Sequence, residues 1–267
     1  MVYVMLSRAQ TLDQIVILDG LYTDQRGWTP HQSALDEMEA SEKKAINVHK
    51  FEKFELRLMS LNVLSFSNNF NEISRKIRAF KCDVVCLQET WLQKTESGED
   101  YQFENYELSL NSRGRGKGIA TYFVESFVET DSINHSDCQI TKISSEDIEI
   151  INLYRSKECQ NIEQLIHPLI NLKKKTIVVG DTNLNFEMQR NQNFVKMMTE
   201  DLRFEQLIRR PTFDRLPKFK PSLLDHVYVS PDLKNKVKVK QKCLGFNDHD
   251  LLIISVLSEE NSIENSG

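Results

Sequence analysis

In "KTIVVGDTNLNF", residues 175–186, an apolar β-branched run from Thr176 to Val179 gives way to Gly180, Asp181 and Asn183. A short run of this kind, bounded by turn residues, reads as a buried strand that Gly180 ends. The arrangement recurs at distant points. Asn62 follows "RLMSL", Glu89 follows "DVVCLQ" and Tyr154 follows "IEIINL", while Asp225 and His226 precede "VYVS" and Asp248 and His249 precede "LLIISV". Asp and Asn end many strands in ordinary turns, so a single occurrence carries little weight. The whole set describes a rim on which polar groups are gathered.

The chemistry that suits such a rim is metal-assisted attack on a phosphodiester. Mg²⁺ takes hard oxygen ligands, keeps several waters and needs only one or two protein carboxylates. Glu89 and Asp248 can supply these, with the amide oxygen of Asn62 nearby; Mn²⁺ is an acceptable substitute. A carboxylate left free of metal can orient and deprotonate water. An amide, a histidine and a cation around the phosphoryl oxygens stabilise the charge that develops there. The sequence has no P-loop, HExxH, GxSxG or helix-opening GxGxxG to support a competing chemistry.

The elements that must position these residues alternate from Phe54 to about Leu257. "FELRLMSLNV" and "CDVVCLQ" read as strands around a helix at "NEISRKIRAF", whose Ile73, Ile77 and Phe80 fall at helical spacing. "KGIATYFVESFVET" resembles a hairpin, and "QITKI" and "IEIINLY" are further strands. "NIEQLIHPLINL" and "QNFVKMMTEDL" read as helices, and "HVYVS", "KVKVKQK" and "LLIISVL" complete a strand-rich set. Many strands are apolar on both faces, which predicts an α+β fold of stacked sheets with helices outside.

With 267 residues, 40% hydrophobic content and no apolar run long enough to span a bilayer, the chain suits a globular protein with no membrane partner. Its start, "MVYVMLSRAQTLDQ", lacks the n-region and cleavage site of a secretory signal. The five cysteines form no CxxC pair, which favours reduced thiols inside a cell over a disulfide frame or a zinc site. The expected location is intracellular and nuclear, and the expected state a monomer. The net charge of −5 does not by itself indicate a nucleic-acid binder. Three basic stretches matter more: "NSRGRGKG" with Arg113, "RRPTFDRLPKFKP" with Arg209 and Arg210, and "KNKVKVKQK" with five lysines at period two. The last reads either as a guarded sheet edge or as a track for a DNA backbone. The Arg/Phe loop suits unstacked bases.

The series "SLNVLSF", "DVVCLQETWL", "INLYR", "VVGDTNLNF", "LLDHVYVS" and "NDHDLLII" resembles, in order and spacing, the endonuclease/exonuclease/phosphatase superfamily, and is nearest to the apurinic-endonuclease-like domains of mobile elements. The resemblance implies a four-layer α/β sandwich, two packed and mainly antiparallel sheets flanked by helices, with the site at one sheet rim. It implies that Glu89 is the principal metal ligand with Asn62 on the metal side, that Asp248 is a further metal-side or leaving-group carboxylate, and that Tyr154 contacts the scissile phosphate. Asp181 would activate water, Asn183 and His249 would hold phosphate oxygens, and Asp225 would orient and charge His249. Thr212 of "RPTF" becomes a further phosphate-contact candidate. Two departures stand out: Thr182 replaces a common phenylalanine, and His226 follows Asp225 as a neighbour without a catalytic role.

Residues 1–50 carry a second resemblance. "VYVMLSRAQTLDQIVIL" is similar to the last motif of superfamily-one helicases, especially those of Helitron transposons, in which Arg8 would reach a nucleotide γ-phosphate. With no Walker A sequence the chain has no cradle for ATP phosphates. The expected organisation is a helicase remnant and linker at 1–50, a nuclease domain at 54–257 and a disordered tail at 258–267. The expected activity is DNA nicking for a Helitron-like element. The rivals are a phosphatase or RNase of the same family, and a domesticated non-catalytic interaction domain.

Overall fold

The computed structural model describes residues 54–96, 98–188, 192–214, 220–245 and 247–258. The helicase-like segment at 1–50, the tail beyond Ser258, and Arg215, Lys218 and Phe219 of the basic loop lie outside the described residues.

The first sheet begins with β1, Phe54–Asn62, which pairs in parallel with β2, Val84–Gln88. A parallel pair needs a long connection, and α1, Phe66–Phe80, supplies it. The helix buries Phe66, Ile73, Ile77 and Phe80, the apolar stripe of an amphipathic helix, and ends at Lys81 in the left-handed conformation. Strands β3, Glu107–Asn111, and β4, Ile119–Phe123, extend this sheet on one side. On the other side lie β12, Leu251–Leu257, and the edge strand β11, Val237–Lys242, giving the order β11-β12-β1-β2-β4-β3.

The second sheet contains β5, Val128–Asn134, β6, Cys138–Ser144, and β7, Ile148–Arg155. It continues with β8, Lys175–Asp181, β9, Glu205–Gln206, and β10, Asp225–Val229, in the order β5-β6-β7-β8-β10-β9. Only β1 with β2 and β7 with β8 run parallel among the described pairs, so both sheets are mainly antiparallel.

Period-two alternation gives each sheet two apolar faces and so dictates the layering. Leu58, Val84, Cys86 and Ile254 of the first sheet meet Ile150, Ile177, Val179 and Val227 of the second in a common core. Cys138, Ile151, Leu153, Val178 and Tyr228 point the other way and pack with Ile162, Ile166, Phe194 and Met198. Those partners come from α2, Ile162–Ile166, and from α3, Asn193–Lys196, with the π-helical turn Met197–Asp201 that follows it. On the outer face of the first sheet, Phe66 of α1 sits edge-on to Tyr122 of β4 at 6.3 Å between centroids. The result is the α+β sandwich: helix, sheet, sheet, helices. Each fully buried Leu, Ile or Phe contributes roughly 1.5–3 kcal/mol.

Several local expectations change. The expected hairpin at 117–130 is not one, because β4 pairs with β2 and β3 while β5 pairs with β6 in the other sheet. Residues 124–127 are the crossover between layers, and β3, not anticipated from the polar "ELSLN", is the true partner of β4. The helix expected at 161–172 stops at Ile166, and Pro168 sits in a following 3₁₀ turn. Gly180 does not end its strand; β8 runs on through Asp181. The lysine strand β11 is an edge, with Lys238 and Lys240 exposed while Val237 and Val239 pack on the core.

Candidate active site

Strand register gathers the first part of the site. Tyr154 of β7 is opposite Asp181 of β8, which is opposite Asp225 of β10. Three polar residues thus lie side by side at one end of the second sheet, about 4.8 Å from strand to strand. Gly180 makes this possible: its φ is +142°, and a Cβ there would lie 1.9 Å from the Leu153 carbonyl oxygen. No larger residue lets β8 come this close to β7 just before Asp181.

The first sheet brings Asn62 to the same rim. Its Nδ2 donates to Asp181 Oδ2 at 2.9 Å and to Glu89 Oε1 at 3.0 Å, so one fully buried amide links the two sheets through two carboxylates. Its Oδ1 accepts the Leu64 N–H at 3.1 Å. The amide oxygen expected on the metal side is therefore turned to backbone, and Asn62 is a bridge between carboxylates. Asn247 supports it from below, donating Nδ2 to the Asn62 carbonyl at 2.8 Å while its Oδ1 accepts the His249 N–H at 2.9 Å.

Glu89 sits just beyond β2 in the left-handed region, φ 50°, as does Trp91 at 60° and Asn183 at 49°. Such backbone in non-glycine residues costs of the order of 1 kcal/mol each and persists where surrounding bonds hold it. Here the Trp91 indole N–H donates to Glu89 Oε2 at 3.1 Å, and Arg115 lies over the Trp91 ring at 5.8 Å. The loop "NSRGRGKG" closes over this segment: Tyr154 donates its hydroxyl to the Gly116 carbonyl at 2.8 Å, and Trp91 donates its backbone N–H to the Lys117 carbonyl at 3.0 Å. Burial, with Glu89 and Asp181 close by, pushes the Tyr154 phenol up, so it acts as a neutral donor.

Electrostatics separate the buried acids and bases. Burial, and then the neighbouring Asp225, push Asp181 up to about 7, with His249 opposing and Glu89 adding to the rise. For His249, burial alone would lower the imidazole, but the Asp225 charge and its hydrogen bond at 2.8 Å win and bring it to about 9. His249 is thus a cation at neutral pH beside a carboxylate poised to take a proton. Asn183 donates its backbone N–H to Asp181 Oδ1 at 2.8 Å and its Nδ2 to the Arg155 carbonyl at 2.9 Å, fixing both residues.

Other expected residues take different places. Thr212 is 1% exposed, and its hydroxyl accepts the N–H groups of Leu224 at 3.2 Å and Asp225 at 3.0 Å. It anchors the start of β10, and these contacts use the hydroxyl as an acceptor. Asp248 is half-buried next to His249, and its carbonyl accepts the Asp214 N–H at 3.0 Å. Arg113 reaches across to β5, where its Nε–H meets Asn134 Oδ1 at 2.5 Å. Arg209 and Arg210 are exposed beside the 212–214 segment, with Arg209 paired to Glu205 at 3.3 Å. His226 is fully buried, with Nε2 against the Leu184 carbonyl at 2.9 Å and Nδ1 against the Tyr228 hydroxyl at 3.1 Å. Burial drives it down to about 4, so it is neutral and structural. Thr182 is explained by the same neighbour. Its hydroxyl donates to the Leu224 carbonyl at 3.1 Å and lies 3.3 Å from the His226 ring, so a small polar residue fits where that imidazole is buried. Trp91, Asn247 and Arg155 were not singled out as site residues from the sequence, although "QETWL", "NDHDLLII" and "INLYR" contain them.

The donor set suits a hard divalent cation. Each Glu89 oxygen accepts one protein donor and keeps lone-pair capacity for a cation. A second grouping, Asp181, Asp225 and His249, has ligand-type atoms within 4.8 Å of one another. There the imidazole Nδ1 is already committed to Asp225, and a protonated ring is a poor ligand. Glu89 is the better anchor.

A model of the endonuclease/exonuclease/phosphatase family matches residues 59–249, more than half of the chain. The chain belongs to this family. Solved structures share the fold at low identity. An AP endonuclease from Archaeoglobus fulgidus superposes with a TM-score of 0.61 at 17% identity, covering 75% of this chain and 99% of that one. The endonuclease domain of TRAS1, a telomere-specific non-LTR retrotransposon, gives 0.59 at 13% identity over 75% and 97% of the two chains. A Neisseria 3′ phosphatase, NExo, bound to product DNA hairpin gives 0.58 at 15% identity over 75% and 99%. Among curated protein sequences, none matches significantly. Family membership makes the protein a phosphoester hydrolase of the nuclease or phosphatase type.

Proposed function

We propose that the protein is a divalent-cation-dependent endonuclease that nicks DNA, of the kind carried by mobile elements. The observation that carries this reading is the buried Asn62 amide joining Glu89 to Asp181, with the Asp225–His249 ion pair beside them. Glu89, with Asp248, would hold Mg²⁺ or Mn²⁺, which supplies Lewis-acid stabilisation of phosphoryl charge when bound. Asp181, held by Asn62 and Asn183, accepts the proton of the attacking water. The His249 imidazolium would face the anionic phosphoryl oxygens, and the Tyr154 hydroxyl and Asn183 amide would join it by exchanging their bonds to the Gly116 and Arg155 carbonyls. Asp225 keeps His249 charged. Basic residues at the rim, Arg115, Arg209 and Arg210, suit a polyanionic strand. The TRAS1 domain supports the mobile-element setting, and the Helitron-like segment at 1–50 favours a helicase–endonuclease element acting on nuclear DNA.

The test is cleavage of supercoiled, single-stranded and abasic-site DNA with Mg²⁺ by the parent, Asp181→Ala and Glu89→Ala. Nicking by the parent and a loss of about 1,000-fold or more in both variants is expected. A 3′ phosphatase reading is the second possibility, favoured by the NExo likeness. A parent that removes terminal phosphates while leaving all three DNAs uncut would replace the first reading with it.

A further inference from the structure

Behind Asn183 lies a feature the phosphoester chemistry does not use. Arg155, the last residue of β7, is the register partner of Cys138 on β6. The chain then turns back: the Ser156 N–H donates to the Asp137 carbonyl at 2.8 Å, and the Cys159 N–H to the Ser156 carbonyl at 3.2 Å. This turn returns Cys159 to the strand pair, beside Cys138 in the same apolar cluster, and the contact between the two sulfurs pushes the Cys138 thiol up while lowering Cys159. Cys138 is 0% and Cys159 7% exposed.

Cys159 is nevertheless reachable. It lines a cavity of about 490 Å³ together with Arg155, Lys157, Gln160, Asn183 and Gln192. Lys157, Gln160 and Gln192 are surface residues, so the cavity opens to solvent. The contact with Cys138 favours a thiolate at Cys159, burial opposes it and the Arg155 guanidinium helps, leaving Cys159 lowered to about 7. Cys82 and Cys86 have no such help: burial pushes both up, Cys82 to about 12. Thiolate character together with access is what makes a cysteine reactive.

We propose that Cys138 and Cys159 form an oxidisable dithiol site, in which a hydroperoxide entering the cavity oxidises Cys159 and Cys138 resolves the product as an intramolecular disulfide. In the first step the Cys159 thiolate attacks one peroxide oxygen. An S–O bond forms, the O–O bond breaks, and the departing oxygen leaves as water after protonation. The Cys138 sulfur then displaces the sulfenic oxygen: an S–S bond forms, the S–O bond breaks, and a second water leaves with the Cys138 proton. Two thiols lose two electrons and two protons, and hydrogen peroxide is reduced to two waters. Disulfides inside cells are mostly of this transient, sensing kind. The pair sits one residue from the chemistry, because Arg155 donates to the carbonyls of Cys159 and Thr182 and accepts from Asn183.

The experiment uses the full chain with Cys243→Ser, which removes the exposed thiol. The protein is treated with hydrogen peroxide, alkylated and mapped by mass spectrometry. A 138–159 peptide pair lacking two hydrogens and restored by dithiothreitol is the expected first product, with Cys82 and Cys86 recovered as thiols. Before oxidation, Cys159 should be alkylated at least about 10-fold faster than Cys82. In Cys138→Ser the reaction should stop at a dimedone-trapped sulfenic acid on Cys159. Recovery of both cysteines as thiols, or Cys159 as sulfinic or sulfonic acid with no disulfide in the parent, would overturn the proposal. The parent map decides even if a variant fails to fold.

Discussion

Replacing Asp225 with Asn tests the electrostatic logic of the rim, because it removes one charge and almost no volume. His249 is 4% exposed and, with Asp225 at 2.8 Å, is raised from 6.5 to about 9. A rise of this size corresponds to roughly 3 kcal/mol of folding stability held by the protonated imidazole. The folded state binds the proton more tightly than the unfolded chain, so the contribution is complete below the unfolded value near 6.5. It declines as pH rises and is gone above about 9. Asp225→Asn should therefore lose about 3 kcal/mol at about pH 6 and much less at about pH 9.5. The same change removes the carboxylate that raises Asp181 and, by releasing the His249 proton, the cation that lowers it, so the two effects oppose one another at that carboxyl. Urea unfolding of parent and variant at both pH values measures the first effect, and NMR titration of labelled histidine and aspartate measures both. An equal loss at the two pH values, or a parent His249 titrating near 6.5, would refute the argument.

Three further outcomes follow from particular contacts. His226 is buried and neutral at about 4 against 6.5 unfolded, so stability is full above about 6.5 and falls toward pH 4, by up to roughly 3 kcal/mol. His226→Gln should flatten that acid limb in urea midpoints measured across the range. Gly180→Ala places a methyl against the Leu153 carbonyl at a φ that disfavours it, and should cost at least about 3 kcal/mol in unfolding free energy and most of the activity with it. Trp91→Phe removes the indole donor to Glu89 while keeping the ring that Arg115 covers, and should raise the Mg²⁺ concentration for half-maximal activity about 10-fold with little change in Tm.

The sequence was most informative where polarity interrupts a strand. Asp181, Asp225 and Tyr154 stand out because each lies at one end of an apolar run, and the register does bring them side by side. It was less informative about orientation. Asn62 was placed near the site, yet which end of its amide meets Glu89 depends on the Leu64 N–H and on Asp181, far away in the chain. Thr212 stands out because "RPTF" resembles a family element, and only the fold shows that its hydroxyl also accepts two backbone N–H groups at the start of β10. The apparent hairpin at 117–130 failed for a related reason. Two adjacent strands with a short link can pair or diverge into separate sheets, and the choice rests with distant partners, β2 and β6.

Residue type and periodicity alone determined that this chain is a strand-rich α+β protein carrying hard oxygen donors and an imidazole at strand ends. Those are local properties, written in apolar spacing and in the chemistry of single side chains. Only the tertiary structure decided that the two rims meet at Asn62, that Asp181 sits near neutrality while His249 stays charged, and that Cys159 turns back onto Cys138. The physical reason is that these depend on burial and on charges brought together from separate strands. Low local dielectric strengthens each interaction, and chain folding alone chooses the partners.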